Sequence, residues 1–247
     1  MGNTKYTYAV ARIRALEVSL FSDAVIEQLL ACKTAEQALQ LVTEKGWGDP
    51  SSDRDMDAVL KREEEKTWEV IRDVAPDMSV FDVLSYPKLY HNLKAAIKEV
   101  CTETRNPGIF YDDCQIPGRE MLQIVENREF SKLPRGMSRV AEEAFDTLLH
   151  TRDGQLCDIM IDKAALDAIC EAGRRSGEPI IQDYADTTVA IADIKIAVRS
   201  QKTGKSVDFM RSAMAECAGL NIEQLIRAAL AGADEIAQYL EGTSYAG

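Results

Sequence analysis

The sequence contains almost none of the residue types that build reactive sites. It has only two histidines, His91 and His150. Its six cysteines, Cys32, Cys101, Cys114, Cys157, Cys170 and Cys217, form no C-x-x-C pair and no metal-ligand spacing. That excludes the usual zinc and thiol-redox signatures, and the cysteines read as buried reduced thiols, five of them inside helical segments. Aromatics make up only 6% of the chain. Glycine and proline are few, at 14 and 7, and cluster between periodic segments. Positive charge is also short: the net charge of −12 works against nucleic acid as a main partner, because phosphate binding needs a basic face. It equally disfavours adhesion to anionic lipid, though local basic patches occur, for example Lys132, Arg135 and Arg139. No apolar run approaches the roughly 20 residues of a membrane-spanning helix. Met-Gly-Asn-Thr-Lys-Tyr lacks the apolar core of a secretion signal, so any membrane is expected to be met through another protein.

What is present in abundance is Ala, Leu, Ile, Glu, Gln, Lys and Arg, the composition of an all-α protein. A segment also occurs twice. Tyr90-His-Asn-Leu-Lys-Ala-Ala-Ile-Lys98 aligns with Ile191-Ala-Asp-Ile-Lys-Ile-Ala-Val-Arg199, with Lys94 and Ala96 recurring as Lys195 and Ala197. Asn92, Leu93, Ile97 and Lys98 recur as Asp193, Ile194, Val198 and Arg199. A second echo sets Glu120-Met-Leu122 against Glu223-Gln-Leu225. Self-similarity at a fixed offset implies a duplicated supersecondary unit. Pro134-Arg-Gly136 marks the junction, dividing the chain into a first helical repeat over 1–133 and a second over 134–247. The run from Ile194 to Arg199 alternates like a strand, but its alanine-rich counterpart has a helical period, so both copies are read as helix. Leu93 and Ile194 are then expected to be equivalent buried positions.

Periodicity and capping signals predict the remaining elements. An apolar stripe of Tyr6, Val10, Ile13, Leu16 and Leu20 predicts a helix from about Lys5 to Phe21. Ser22-Asp23 opens a short helix, and Thr34-Ala-Glu-Gln37 is a capping box for Ala35 to Lys45, ended by Gly46. Asp55 to Val74 is helical, with Lys61 to Lys66 as a solvated charge run. Pro87 is expected at the first position of the helix carrying the first repeat copy, and Pro117 starts a short helix. Further helices are expected over 138–150, 156–172, 179–200, 206–218 and 221–240.

Four features resemble chemistry. Thr203-Gly-Lys-Ser206 looks like the end of a phosphate-binding loop, but Arg199 stands where that loop needs glycine and a helix precedes it. An interhelical turn with Ser206 as N-cap explains the same residues. Asp112-Asp113-Cys114 beside Tyr111 has no histidine close in sequence, and its acids serve to cap a helix. Asp158 with Asp162 reads as a hydrated helix face, and Met160, Phe209 and Met210 read as core. His91 is replaced by Ala192 in the second copy, so the repeated unit does not require it. Nothing assembles a nucleophile, base and orienter, so no catalytic, cofactor or metal residue is assigned.

Tyr8-Ala-Val-Ala-Arg-Ile-Arg-Ala-Leu-Glu17 resembles the opening of the C subunits of prokaryotic V-type (A-type) rotary ATPases, the counterparts of the eukaryotic d subunits. Ile26-Glu-Gln-Leu-Leu30, Ala35-Glu-Gln-Ala-Leu39, Gly46-Trp-Gly48, His91-Asn-Leu-Lys94, Asp193 to Arg199 and Gly204-Lys-Ser206 look like that family too. The resemblance implies a non-catalytic, all-helical protein of three similar domains in a funnel on the cytoplasmic face of a proteolipid ring. The funnel would hold the end of the central rotor shaft, with no cofactor, small-molecule substrate or nucleic acid. It leaves the partner-binding residues unassigned. Two copies near residues 92 and 193 predict a third near 294, which this chain does not include. The competing readings are a metal- or carboxylate-dependent helical enzyme and a helical adaptor unrelated to rotary motors.

Overall fold

The computed structural model describes residues 6–246, so the expected start at Lys5 lies outside the described residues. Twelve α-helices and no strand occur among them, as the composition predicts. The chain divides into two compact units, 1–78 and 79–247. The repeat junction expected at 133/134 is a statement about duplication rather than compactness. It falls within the second unit, between a 3-10 turn at Phe130–Lys132 and the helix that starts at Arg135.

The first unit holds α1 (Thr7–Glu17), α2 (Asp23–Leu30), α3 (Ala35–Glu44) and α4 (Met56–Val74). Local capping sets their starts. The Gln37 amide donates to the Thr34 hydroxyl at 3.2 Å, and the Ala58 amide to Asp55 at 2.9 Å. Among its described residues only Ala9, Val42 and Val59 are buried, and a stacked Phe21–Trp47 pair adds a second small contact at 4.4 Å. Of the expected stripe, Val10, Ile13 and Leu16 lie in α1, while Tyr6 precedes it and Leu20 follows its end, and all five are exposed. Periodicity dictates which residues share a face; it does not supply a neighbour to cover them.

The second unit carries the main core. A 3-10 turn at Met78–Phe81 precedes α5 (Asp82–Thr102), followed by α6 (Gly118–Glu126), α7 (Arg135–Thr151), α8 (Gly154–Ser176) and α9 (Pro179–Thr203). The chain ends with α10 (Val207–Ala213), α11 (Ile222–Ala231) and α12 (Ala233–Glu241). Both repeat segments are helical, in α5 and α9. Helix α8 lies between α5 and α9. Its Cys157 and Ile161 join Leu89, Leu93 and Ile97 of α5 in the largest apolar cluster, and Ile169, Cys170 and Ala172 meet Ala185 and Val189 of α9 in another. The α8–α9 approach is close enough that a Cβ on Gly173 would lie 2.5 Å from that of Ala185.

Four expected boundaries are corrected. Helix α1 ends at Glu17 rather than about Phe21, and α10 ends at Ala213 rather than Ala218. Pro87 is not the first residue of its helix: α5 begins at Asp82, so Pro87 sits in the second turn, where its missing N–H removes the bond to the Val83 carbonyl. The segment 221–240 is two helices, because Gly232 adopts φ 147° and ψ 175°, a backbone other residues avoid. Cysteine placement also differs. Only Cys101, Cys157 and Cys170 are both helical and buried, while Cys32, Cys114 and Cys217 lie outside helices and are partly exposed.

Within the repeat, Asn92, Ala96 and Glu99 are buried in α5, and Asp193, Ala197 and Ser200 are buried at the same positions in α9. The equivalence of Leu93 and Ile194 is only partial: Leu93 is fully enclosed, whereas Ile194 is half-buried. Downstream, Met121 is buried but exposed Gln224 stands opposite it in the sequence echo. Helix starts Gly118 and Ile222, and buried Met121 and Leu225, coincide one residue further along. The Leu93→Ala variant is expected to lose about 2–5 kcal/mol of stability through its cavity. Ile194→Ala is expected to lose about half as much, because it is already partly solvated. Chemical unfolding of both variants would check this, and equal losses would contradict the difference in enclosure.

Candidate functional site

A groove of about 1050 Å³ opens in the second unit between α5, α8 and α9. Its walls come from corresponding residues of the repeat. Pro87, Tyr90, His91 and Lys94 line it from α5, and Thr188, Ile191, Ala192 and Lys195 line it from α9. Asp158, Asp162 and Leu166 of α8 lie between them. The sequence reading did not identify this groove. The available signal was that the repeated segments must present like faces once both are helices.

The acid pair Asp158 and Asp162 is not a free hydrated face. Lys94 lies 2.6 Å from Asp162, and Lys98 lies 2.7 Å from Asp158, tying α5 to α8. The pairs run in opposite chain directions, which makes the two helices antiparallel. Lysines one turn apart on one helix and aspartates one turn apart on another were visible in sequence, but their pairing was not. Lys132 of the basic cluster is bonded to Glu129 at 2.7 Å, and Arg139 approaches Glu143 at 3.8 Å.

A buried polar residue sits behind each wall. The Asn92 amide donates to the carbonyls of Tyr111 and Ile116 at 2.7 and 3.2 Å, and its oxygen accepts from the Tyr111 amide at 2.9 Å. One side chain thereby organises the loop that leads into α6. Asp193, at the same repeat position, accepts from the Ala215 amide at 3.2 Å in the segment leading toward α11. Its other oxygen, Oδ2, is buried without a hydrogen-bond partner. Burial pushes the Asp193 carboxyl up to about 7, with Asp167 adding to the shift, while Lys163 and the Ala215 amide oppose it.

The remaining chemical-looking residues are accounted for locally. His91 places Nε2 2.8 Å from the Ile109 carbonyl and sets its ring edge-on to Tyr111 at 5.1 Å, so the fold brings it beside the Tyr111–Cys114 segment after all. Asp113 pairs with Lys88, and the Asn92 amide approaches the Cys114 sulfur at 3.2 Å. His150 bonds to the Asp146 carbonyl one turn back. Thr203 to Ser206 is an interhelical turn, with Gly204 at φ 63° and the Ser206 hydroxyl accepting from the Phe209 amide at 3.2 Å. Lys205 donates to Gln155 at 2.9 Å and lies over the Phe209 ring. Met210 is buried, while Met160 and Phe209 are partly so. Burial raises the thiols of Cys157 to about 11 and Cys170 to about 12, leaving them protonated at neutral pH. No group of three or more His, Cys, Asp or Glu is placed to hold a metal among the described residues.

The groove is therefore a shaped surface between α5, α8 and α9, with α5 and α8 tied by two ion pairs. A family model described as ATP synthase (C/AC39) subunit matches residues 9–247. The chain belongs to the ATP synthase (C/AC39) subunit family. It is similar to the C subunit of the A-type ATP synthase of Methanocaldococcus jannaschii, at 21% identity over 98% of this chain and 66% of that protein. It is also similar to the C subunit of the V-type sodium ATPase of Enterococcus hirae, at 19% identity over 94% of this chain and 72% of that one. The chain thus spans about two thirds of the length of these relatives. No solved structure matches it.

The buried carboxyl of Asp193 gives a pH-dependent stability. Its folded value near 7 exceeds the ordinary 3.8, so its favourable contribution is complete below about pH 4 and is lost as pH rises through 7. At about 1.4 kcal/mol per unit, the loss approaches about 4 kcal/mol. Asp193→Asn removes the ionisable group, so its stability relative to the parent should rise between pH 4 and 7 and then level off. Urea unfolding at several pH values measures this, and parallel pH profiles for the two proteins would refute it.

Proposed function

We propose that the chain is a non-catalytic rotor subunit of an A-type or V-type ATPase. It couples the central rotor shaft to the membrane proteolipid ring in ATP-linked proton or sodium transport. The observation that carries this reading is the family match across residues 9–247, together with two relatives named as C subunits of such complexes. We place it as a peripheral subunit on the cytoplasmic face. No described helix is long and apolar enough to cross a membrane, so on this reading the ring is met from outside the bilayer. The repeats at 1–133 and 134–247 would each supply part of a curved, funnel-like scaffold.

The second unit has the mechanical character such a role needs. A coupling part must transmit load through packed elements that do not slide. Here apolar packing encloses α8 from two sides, and lysine–aspartate pairs fix its register along α5. No step of bond making is asked of the chain.

The test is co-purification from membranes using the tagged chain. Recovery with both the proteolipid ring and the shaft subunits is expected, as is loss of the ring–shaft association when the chain is depleted. Recovery with neither, or only with unrelated soluble proteins, would replace this reading with that of a separate helical adaptor.

A further inference from the structure

The segment 214–221, which joins α10 to α11, has no regular structure and is fastened by side chains instead. Met214 and Leu220 are buried and anchor it in the cluster with Met210 and Leu225. Between these anchors, two carboxylates of α9 that stand two helical turns apart hold its backbone. The Ala215 amide donates to Asp193 and the Ala218 amide to Asp186, each at 3.2 Å. The Cys170 thiol of α8 donates to the Glu216 carbonyl at 3.4 Å. Glu216 and Ala218 are exposed and Cys217 is half-buried, so the strap is a thin cover over Ala215 and Asp193, both fully enclosed.

Charged, Asp193 is a poor fastener. Its Oδ2 is buried without a hydrogen-bond partner, so an anion there keeps one oxygen dry. The groups that face it do not offset this. From α8, Lys163 attracts and Asp167 repels, and Lys163 already lies 3.4 Å from both Asp167 oxygens. From the strap, Cys217 faces it as a thiol whose proton is held chiefly by burial, and Asp186 of α9 adds a second negative charge beside that thiol. A protonated Asp193 keeps the Ala215 bond without burying a charge.

We propose that segment 214–221 is a pH-gated strap, closed while Asp193 holds a proton and unlatched when that carboxyl ionises. Opening hydrates Oδ2 and uncovers the Cys170 thiol and the α8–α9 seam at Ala172, Ala185 and Val189, against which Ala215 packs. The movement is small. With Met214 and Leu220 left in place, Ala215 is the one buried residue between them that must come free. Burial sets the folded value of Asp193 near 7 against the ordinary 3.8. Its hold on the strap is therefore complete below about pH 4 and is lost as pH rises through 7. The proposal does not depend on the coupling reading.

Hydrogen exchange of the Ala215 and Ala218 amides in the intact chain tests this. Each rate is divided by that of the unfolded chain at the same pH, so that only opening is read. With the carboxyl near 7 when closed and at 3.8 when open, opening is expected to rise roughly 50-fold from pH 5 to 7 and only about twofold from 7 to 9. The Leu93 and Ile97 amides of α5 should open at least about tenfold less often than the strap at every pH. Asp193→Asn should flatten the strap's profile, while Asp186→Asn should raise opening by a constant factor and keep the slope. Labelling of Cys170 and Cys217 by N-ethylmaleimide, referred to the unfolded chain, should follow the parent curve. A flat parent profile overturns the proposal, as does a slope that survives Asp193→Asn or disappears in Asp186→Asn. Equal opening of the strap and of α5 would mean that the unit unfolds as a whole, and would overturn it too. Circular dichroism shows whether each variant folds; if Asp193→Asn does not, the parent profile and Asp186→Asn decide the matter.

Discussion

The second unit depends on α8 being enclosed from two sides. Leu93 and Ile97 reach it from α5, and Ala185 and Val189 reach it from α9. Magnitudes separate what stabilises this arrangement from what aligns it. Each fully buried Leu or Ile contributes about 1.5–3 kcal/mol by leaving water. A partly exposed lysine–aspartate pair contributes up to about 1 kcal/mol. The apolar contacts therefore hold the helices together. The Lys94–Asp162 and Lys98–Asp158 pairs set their direction and register, because sliding by one residue would break both at once. Gly173 allows the remaining side of α8 to approach α9 at a distance no larger residue tolerates.

The sequence was most legible where a boundary is encoded by a local hydrogen bond. Thr34, Asp55, Ser206 and Asn221 each cap a helix start with their own side chain, and each can be read without knowing the fold. Pro179 likewise occupies the first position of α9. Failures came where context outweighs a local rule. Pro87 suggests a helix start, but α5 begins five residues earlier and accepts the loss of one backbone bond, because the segment from Val83 to Cys101 is buried along much of its length. Gly232 sits in a helical pattern of apolar residues, and only its dihedral angles reveal the break.

The candidate site was less legible than the fold for the same physical reason. Sequence identifies which residues share a face, so Asp158 and Asp162 were read as a pair, while Lys94 and Lys98 stood out only as positions of the repeated segment. Their meeting is a tertiary fact, as is the covering of Leu93 but not of Ile194. Helix α1 makes the same point from the opposite side: Val10, Ile13 and Leu16 recur at helical spacing, yet they remain exposed. A hydrophobic stripe states a need for a neighbour, and assemblies can meet that need with other chains.

Asn92 and Asp193 occupy corresponding positions of the two similar segments and do related work with different chemistry. Both are completely buried, and both accept from a backbone amide outside their own helix: Tyr111 in the loop after α5 for Asn92, and Ala215 just past α10 for Asp193. Asparagine suits that place fully, because one amide can donate to two carbonyls while its oxygen accepts from an N–H. Aspartate keeps the acceptor but gives up the donors, leaving Oδ2 unpartnered and disfavouring the charged form. Asp193 thus retains one backbone contact but with fewer hydrogen bonds than Asn92 makes. That is tolerable where neighbouring packing over-determines the backbone, as the cluster of Ala197, Met210, Met214 and Leu225 does here. The difference between the two copies is one of side-chain chemistry placed on a common helical frame. The frame sets where each copy turns, and the side chains set how tightly each turn is held.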